Sequence, residues 1–318
     1  MLTGVMRLVP QHLCHGPITR SRALQFGLSR DVLEGIQFRR IYQGVYVHRD
    51  HEMTWADHVE AARLALPPSA RTTGATRLRQ LGLDVGSSLP LHFVVASDLH
   101  LTLEGVFLHR TVAIPPHDEH GVSAEAAFVA FCVESRLIDA IKAGSVLLNK
   151  QLMDGQRLER MLAEEPWRRG AAETSYVLPF LEGECRSMPE AELFAYVVFA
   201  ELPVPEVNRV IELADGTAVT PDLWFAGHGL AVEYEGSHHQ DDRGQYNADI
   251  DRYAAYRRSD VPYEQVTKER LRSPKATVRR VHRALVDCRY DGPPPNFDGA
   301  WPTLFMPLRE LVRRRRAA

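Results

Sequence analysis

The spacing of apolar and polar residues divides residues 1–50 into two short helices and a hairpin. The segment SRALQFG places three apolar residues on one side of a helix that Gly27 ends, and Ser29 is the predicted N-cap of a second helix over RDVLEGIQF. In RRIYQGVYVHR, apolar positions alternate around Gln43-Gly44, which indicates a β-hairpin. Helix, turn, helix and hairpin form the outline of a winged helix, although a small α+β packing unit fits the same pattern.

Residues 51–175 combine helical and strand patterns, which predict a middle α/β domain. WADHVEAARLAL has helical periodicity until Pro67-Pro68, and a second short helix is predicted over 72–81. LHFVVAS and EGVFLHR alternate as strands, whereas AEAAFVAFCVESRLIDAIKAG predicts one long helix that stops at Gly144. We expect residues 166–186 to be a connection.

Residues 187–290 follow the order α-β-β-β-α-β-α. The helices are predicted over SMPEAELFAYVVFAEL, RGQYNADIDRYAAYRRS and SPKATVRRVHRALVDC, and the strands over VNRVIEL, AVTPDLWF, LAVEYEG and VPYEQVT. Residues 291–318 form a basic tail. The predicted fold class is therefore α+β, with an N-terminal winged helix, a mixed middle section and a C-terminal α/β domain.

Charge is unevenly distributed along the chain. The 318 residues carry 38 Lys and Arg against 41 Asp and Glu, a net charge of −3. Residues 1–50 nevertheless have a local net charge of +4, residues 255–289 one of +6, and positions 313–316 are all arginine. Such segments indicate local contact with polyanions, and solvated arginines on helix faces explain each of them equally well.

Composition also excludes several classes of protein. No apolar run approaches the length of a membrane-spanning helix, and the N-terminus does not have the pattern of a secretory signal, so we expect a cytoplasmic protein without membrane contact. The four cysteines have no CxxC spacing, which excludes a zinc finger of that type.

Three carboxylates are predicted to share one face of a hairpin. In LAVEYEG, the alternation of a strand puts Glu233 and Glu235 on the same face. A turn centred between Gly227 and His228 pairs residues whose numbers add to 455, and this register places Asp222 opposite Glu233. The like charges would repel each other, which a divalent cation such as Mg²⁺ or Mn²⁺ would relieve. A solvated strand face is the alternative.

Several polar residues flank this carboxylate group. Glu190 could be a further ligand or a water-positioning group, but Ser187 and Glu190 also fit a capping box. His238 and His239 follow the strand, where they could act as general base or acid, or simply belong to a polar loop. Arg252 could face a phosphate, or it could pair with Asp249 one helical turn away.

The run PDLWFAGHGLAVEYEGSHHQ, followed by NADIDRYAAYRRSDVPYEQVT, resembles the very-short-patch-repair-like branch of the PD-(D/E)xK nuclease superfamily. The resemblance implies a restriction-endonuclease-like fold. The positions that match its motifs are Asp222, Glu233, Glu235, Gly236, His239 (or His238), Asp249 and Arg252, with Glu190 on the preceding helix. Glu235 stands where many members have lysine, so a histidine or a metal-bound hydroxide would have to activate water.

The N-terminal segment GPITRSRALQFGLSRDVLEGIQFRRIYQGVYV resembles the winged helix of AbiEi-like antitoxins, which are bacterial DNA-binding regulators. Together the two resemblances imply a two-part protein of a type common in actinobacteria. Its domains would be 1–50 (winged helix), 51–175 (AbiEi-like middle domain), 187–290 (nuclease-like domain) and 291–318 (basic tail).

Two functions follow as hypotheses. The first is a metal-dependent DNA endonuclease or nickase, with Asp222, Glu233 and Glu235 as metal ligands and double-stranded DNA as partner. The second is a DNA-binding regulator or antitoxin with an inactive nuclease-like domain and a cognate toxin as a further partner. In both, DNA would contact the basic head and wing, namely Arg30, Arg39, Arg40 and Tyr42.

Overall fold

The structure is a computed structural model of the 318-residue chain. It describes residues 9–98, 100–236 and 243–317, with the backbone course but not the side chains of 243–249. The chain divides into two compact units, Met1–Ala127 and Phe128–Ala318. Both contain helices and small sheets, so the fold is mixed α+β. None of the helices in the described ranges is long and apolar enough to cross a membrane.

The first unit begins with a short 3-10 turn and then alternates short strands with helices. In chain order its elements are β1 (Ile18–Thr19), α1 (Arg20–Gln25), α2 (Arg30–Glu34), β2 (Phe38–Tyr42), β3 (Val45–His48), α3 (Trp55–Ala65), β4 (Arg71–Thr72), α4 (Gly74–Gln80), β5 (Leu91–Val95) and β6 (Val106–Arg110).

The N-terminal part of this unit has the predicted order of helix, turn, helix and hairpin. β3 lies between β1 and β2 in a three-stranded antiparallel sheet, and Gly44 has the positive φ of 77° that the tight hairpin turn requires. Its core is a cluster of buried residues: Leu13, Ile18, Ala23, Leu28, Leu33, Phe38 and Tyr46. α2 is shorter than predicted, because Gly35 has an extended backbone and the chain pairs as β2 from Phe38 onwards.

The rest of the first unit is a second small sheet packed on a helix. β5 lies between β4, which is antiparallel to it, and β6, which is parallel to it. Apolar side chains of this sheet, including Leu91 and Phe93, pack against Val59 and Ala62 of α3. The two predicted strands and both predicted helices of this region are confirmed.

The second unit is richer in helices. Its elements, starting with the helix that contains the boundary, are α5 (Ala124–Cys132), α6 (Leu137–Asn149), α7 (Gly155–Glu164), α8 (Ala171–Val177), α9 (Met188–Phe199), β7 (Glu206–Val207), β8 (Ile211–Glu212), β9 (Ala218–Val219), β10 (Leu223–Phe225), β11 (Leu230–Glu235), α10 (Arg243–Arg258), β12 (Tyr263–Thr267), α11 (Lys268–Leu271), α12 (Pro274–Asp287) and α13 (Leu308–Ala317).

The prediction of one long helix ending at Gly144 was wrong. The chain breaks between α5 and α6, where the Ser135 hydroxyl donates to the carbonyl of Phe131 and where the backbone of residues 135–137 exchanges hydrogen bonds with Met306 and Leu308. α6 continues past Gly144 to Asn149. Gly144 serves close packing instead, since a Cβ there would lie 2.7 Å from the Leu181 side chain.

Residues 166–186 are also more ordered than the predicted connection. They contain α8 and the 3-10 turn Leu178–Phe180. The side chain of Thr174 donates to the carbonyl of Gly170, and Thr174 is fully buried, so α8 packs into the unit rather than crossing its surface.

The candidate site lies on a four-stranded sheet with the order β12-β11-β10-β7. β11 pairs in antiparallel orientation with β10 and in parallel with β12. Two of the predicted strands are each split: Asn208, with a φ of 50°, separates β7 from β8, and Pro221 separates β9 from β10. β8 and β9 pair with each other as a separate ribbon.

Candidate active site

The predicted hairpin register is confirmed. Leu223 pairs with Val232 and Phe225 with Leu230, so paired residue numbers add to 455. Asp222 immediately precedes β10, and the next position on β11 after Val232 is Glu233. Directly opposed residues of an antiparallel pair point to the same face, so this register puts the two carboxyl groups side by side, as the sequence predicts.

Glu233 is an unusual residue for its position, because its side chain is 0% exposed. β11 is a central strand, and Leu230, Ala231 and Val232 before it are also buried. Ala231 shares the face of Glu233 and packs against Ala255 on α10. The carboxylate therefore points into the layer between the sheet and α10 and not into solvent.

Two side chains of α10 hold Glu233. The hydroxyl of Tyr256 donates a hydrogen bond of 2.7 Å to Glu233 Oε1, and Tyr256 is itself fully buried. The Nε atom of Arg252 lies 3.4 Å from the same oxygen. Burial and the nearby charge of Glu233 raise the pKa of Tyr256 above its ordinary value, so the phenol stays protonated and donates.

Asp222 has a different environment. Its Oδ2 accepts a hydrogen bond of 2.7 Å from the backbone N–H of Tyr234. Burial, followed by the charges of Glu233 and Glu190, raises the pKa of Asp222 to about 8. Near neutral pH Asp222 therefore holds a proton, because burial and the neighbouring carboxyl groups disfavour its charged form.

Glu190 is buried beside this pair, in the first turn of α9. Its Oε2 accepts from the backbone N–H of Arg186 and from the side-chain amide of Asn208, while the Ser187 hydroxyl accepts from the backbone N–H of Glu190. Ser187 thus caps α9, but the reciprocal bond of a capping box, from Ser187 N–H to Glu190, is replaced by the bond from Arg186. Glu190 still acts on the site, because its charge contributes to the raised pKa of Asp222.

Asn208 links the backbone of Asp222 to the carboxyl group of Glu190, and nothing in its sequence context predicts this. Its backbone N–H donates to the carbonyl of Asp222 and its side-chain amide donates to Glu190. Its positive φ of 50° is a conformation that asparagine tolerates better than most residues. The Oδ1 atom is buried and accepts no hydrogen bond from the described residues.

The other predicted site residues are less closely grouped. Glu235 ends β11 on the face of Glu233, but its side chain is exposed. Burial and charge thus link Asp222 to Glu190 and not to Glu235. His238, His239 and the side chain of Asp249 lie outside the described residues. Arg252 faces Glu233, which leaves its proposed phosphate contact and its pairing with Asp249 as predictions.

The residues present partly fit a hard divalent cation. Glu233 offers a buried carboxyl group and Asp222 a half-buried one beside it, and Asn208 Oδ1 is a buried oxygen that accepts no hydrogen bond from the described residues. The raised pKa of Asp222 means that its ionised form is destabilised in this environment, and a bound cation would stabilise that form in place of a proton. Within the described side chains, however, no group of three or more His, Cys, Asp or Glu residues has an arrangement that could hold a metal ion.

Four of the five predicted DNA-contacting residues, all except Arg252, lie in the first unit, and the structure groups only some of them. A cleft beside the hairpin is lined by Arg30, Arg40 and Tyr42, together with Arg20, which the sequence analysis missed. Arg20 is held there by a hydrogen bond of 2.8 Å to the hydroxyl of a buried tyrosine. Arg39 lies elsewhere, because successive residues of a strand point to opposite faces; it donates to the backbone carbonyl of residue 51.

Comparison with known proteins gives two distant relatives. The chain is similar to the uncharacterized protein MT2308 of Mycobacterium tuberculosis strain CDC 1551 / Oshkosh, and to the uncharacterized protein Rv2248 of strain ATCC 25618 / H37Rv. Each is 24% identical over 199 residues, which cover 62% of this chain and 73% of the relative. No protein-family model and no solved structure matches the chain.

Proposed function

We propose that this protein is a metal-dependent DNA endonuclease or nickase of the cytoplasm, with its catalytic site around Asp222 and Glu233. The observation that carries the proposal is the pair itself: the fully buried carboxyl group of Glu233 and, next to it, the half-buried one of Asp222, whose pKa is raised to about 8. Folding such a pair without a cation is costly, and buried groups with strongly perturbed pKa values cluster at functional sites.

The chain's own residues prepare this site for hard-cation chemistry. Tyr256 and Arg252 orient Glu233, and Asp222 beside it would be the second carboxyl group to hold a cation, which would displace its proton. When bound, Mg²⁺ or Mn²⁺ would supply an activated water and charge stabilisation for phosphodiester hydrolysis. His238 or His239, which follow β11 in the sequence, would move protons.

Duplex DNA binding is assigned in this proposal to a winged helix at the N-terminus. The order of elements and the cleft that groups Arg20, Arg30 and Arg40 support this assignment. Glu34 pairs with Arg30 and lies 3.5 Å from Arg20, so it partly neutralises the cleft. Arg40 is exposed and keeps its charge available for a phosphate.

A second candidate function is a DNA-binding regulator or antitoxin, with a cognate toxin as partner and a nuclease-like scaffold. A specific observation favours it: Glu233 already receives a hydrogen bond from Tyr256 and the charge of Arg252, so a metal would have to share this ligand. The two candidates differ in whether a divalent cation is needed for any activity.

Plasmid nicking separates them. With Mg²⁺ or Mn²⁺ the wild-type protein should nick or cut supercoiled DNA, and EDTA should abolish this. Asp222→Asn and Glu233→Gln should each lower the rate about 100-fold or more, since loss of a metal ligand costs several kcal/mol of transition-state stabilisation. Glu212→Gln, at an exposed strand position outside the site, is the matched control and should keep the wild-type rate.

Binding to duplex DNA, measured in EDTA, provides the second readout. Arg40→Glu should weaken binding and reduce its salt dependence. Arg49 is exposed just after β3 and does not line the cleft, so Arg49→Glu should have a smaller effect. No cutting with either metal, combined with tight DNA binding, would favour the regulator. Cutting that survives Asp222→Asn would contradict the proposed site.

A further inference from the structure

A second basic cleft lies within the second unit, between the turn that precedes α8 and the C-terminal helix α13. Its volume is about 400 Å³. The charged residues that line it are Arg168, Arg169, Arg309, Arg313, Arg316 and one carboxylate, Glu173. Arginines dominate this lining, although Glu134 and Glu165 pair with three of them, and it contains two members of the arginine run 313–316.

The arginine row on α13 is fixed in position by packing. Arg309, Arg313 and Arg316 follow one another at spacings of four and three residues, so they lie on one face of the helix. Leu308 and Leu311 occupy the opposite side and are buried. The helix is therefore anchored through its leucines, and its arginines face the cleft because the apolar side has to be covered.

Nearby carboxylates do not neutralise this row. Glu134 is shared between Arg169, at 3.1 Å, and Arg309, at 3.9 Å. Arg313 and Arg316 take part in no ion pair among the described residues, and both are exposed. A surface of this kind attracts an anion with more than one negative charge.

An indole ring lies among these arginines. Trp167 is 51% exposed, and the guanidinium carbon of Arg168 lies 4.8 Å from its ring centroid. Arg168 is buried and is held by Glu165 at 2.6 Å. The turn is further fixed by Gly170, whose φ is 96° and where a Cβ would lie 2.1 Å from a backbone carbonyl oxygen. The half-exposed ring is thus presented by a rigid turn.

Arginines that surround an exposed aromatic ring match the chemistry of single-stranded nucleic acid. Its phosphates pair with guanidinium groups and its unpaired bases stack on aromatic side chains. Unpaired bases of a single strand can reach Trp167 in the lining of this cleft, whereas the bases of a duplex are stacked on one another. A lipid surface fits less well, because the apolar residues Leu308 and Leu311 of α13 are buried and unable to enter a bilayer.

We infer that this cleft binds single-stranded DNA or RNA, with Arg313 and Arg316 on phosphates and Trp167 stacked on a base. The inference deepens the proposed function, because a strand released or displaced from a duplex would have its own contact on the second unit. It rests on that proposal only for the choice of nucleic acid as the substrate class.

Fluorescence anisotropy of a labelled 20-nucleotide oligo-dT, with the full chain in EDTA, tests it. Arg313→Glu should weaken binding at least about fivefold and lower the salt slope, and Arg316→Glu should do the same. Arg315→Glu changes the charge equally on the same helix but outside the cleft, and it should change affinity less than twofold. Trp167→Ala should weaken binding about tenfold, while Trp167→Phe should retain most of the affinity.

Each alternative result overturns the inference. Equal losses for Arg313→Glu and Arg315→Glu would indicate nonspecific charge. Unchanged oligonucleotide binding by Trp167→Ala would exclude stacking. If the variants lost as much affinity for a duplex as for the oligonucleotide, the cleft would be a duplex-binding surface. Binding to anionic vesicles but not to the oligonucleotide would assign it to membranes. Because the assay contains no metal, failed plasmid nicking with intact oligonucleotide binding contradicts only the proposed catalytic site.

Discussion

The raised pKa of Asp222 makes the stability of the second unit dependent on pH. In the unfolded chain this carboxyl group titrates near 3.8, whereas in the fold burial and the charges of Glu233 and Glu190 raise its pKa to about 8. Between these values the folded protein binds more protons than the unfolded one. The free energy of unfolding therefore falls as the pH rises through this interval.

The substitution that tests this is Asp222→Asn. It keeps the side-chain shape and an oxygen that can accept from the N–H of Tyr234, but it removes the ionisation. At about 1.36 kcal/mol per pH unit, the interval from 3.8 to about 8 corresponds to an upper limit of about 5–6 kcal/mol. The fold relaxes around a buried charge, so the measured effect should be smaller than this limit. We expect the unfolding free energy of Asp222→Asn, relative to wild type, to rise by at least about 1 kcal/mol between pH 5.5 and 8.5.

The assay is urea unfolding followed by tryptophan emission at several pH values, without divalent metal. Trp224 lies on β10, two residues after Asp222, and reports on this sheet. The difference in unfolding free energy between Asp222→Asn and wild type should grow steadily with pH. Glu212→Gln, which removes an exposed carboxylate, should give a curve parallel to that of wild type. A difference independent of pH would refute the assignment of a proton to Asp222.

Two further predictions concern packing. Tyr256→Phe removes a buried hydroxyl that donates to the carboxyl group of Glu233, and it should lower the free energy of unfolding by about 1–3 kcal/mol. Tyr263→Phe removes a hydroxyl that only accepts an exposed hydrogen bond, so it should lower this free energy less. Urea unfolding measures both. Gly170→Ala places a Cβ 2.1 Å from Val129 O at a φ of 96° and should lower the melting temperature clearly more than Gly216→Ala, where φ is 80° and no atom lies within 4 Å.

The sequence predicts local pairing in the candidate site and not its long-range contacts. The hairpin register follows from a short turn with two glycines, and it places Asp222 and Glu233 together correctly. The burial of Glu233 depends on the docking of α10, whose Tyr256 is 23 residues further along the chain. No periodicity within the strand reveals that partner, so a solvated strand face was an open alternative.

The difference between local patterns and long-range contacts also explains the wrong prediction of a single helix over residues 124–144. The apolar periodicity of residues 124–144 continues through Ser135, so it predicts one helix. The break is stabilised by backbone hydrogen bonds to Met306 and Leu308, more than 160 residues further along the chain. Asn208 was missed for a related reason, since its role depends on a positive φ and on contacts with the carboxyl group of Glu190 and the backbone carbonyl of Asp222.

The charge balance of the buried group is the strongest argument for a cation in the proposed function. Three carboxyl groups, from Asp222, Glu233 and Glu190, lie close enough to influence one another, and Arg252 is the basic residue that faces them from α10. With all three ionised, these groups and Arg252 would carry a net charge of −2, which one divalent cation would neutralise. Because an unbalanced charge in a buried environment is costly, this charge balance supports the proposal of a Mg²⁺ or Mn²⁺ site over that of a scaffold whose carboxyl groups serve packing alone.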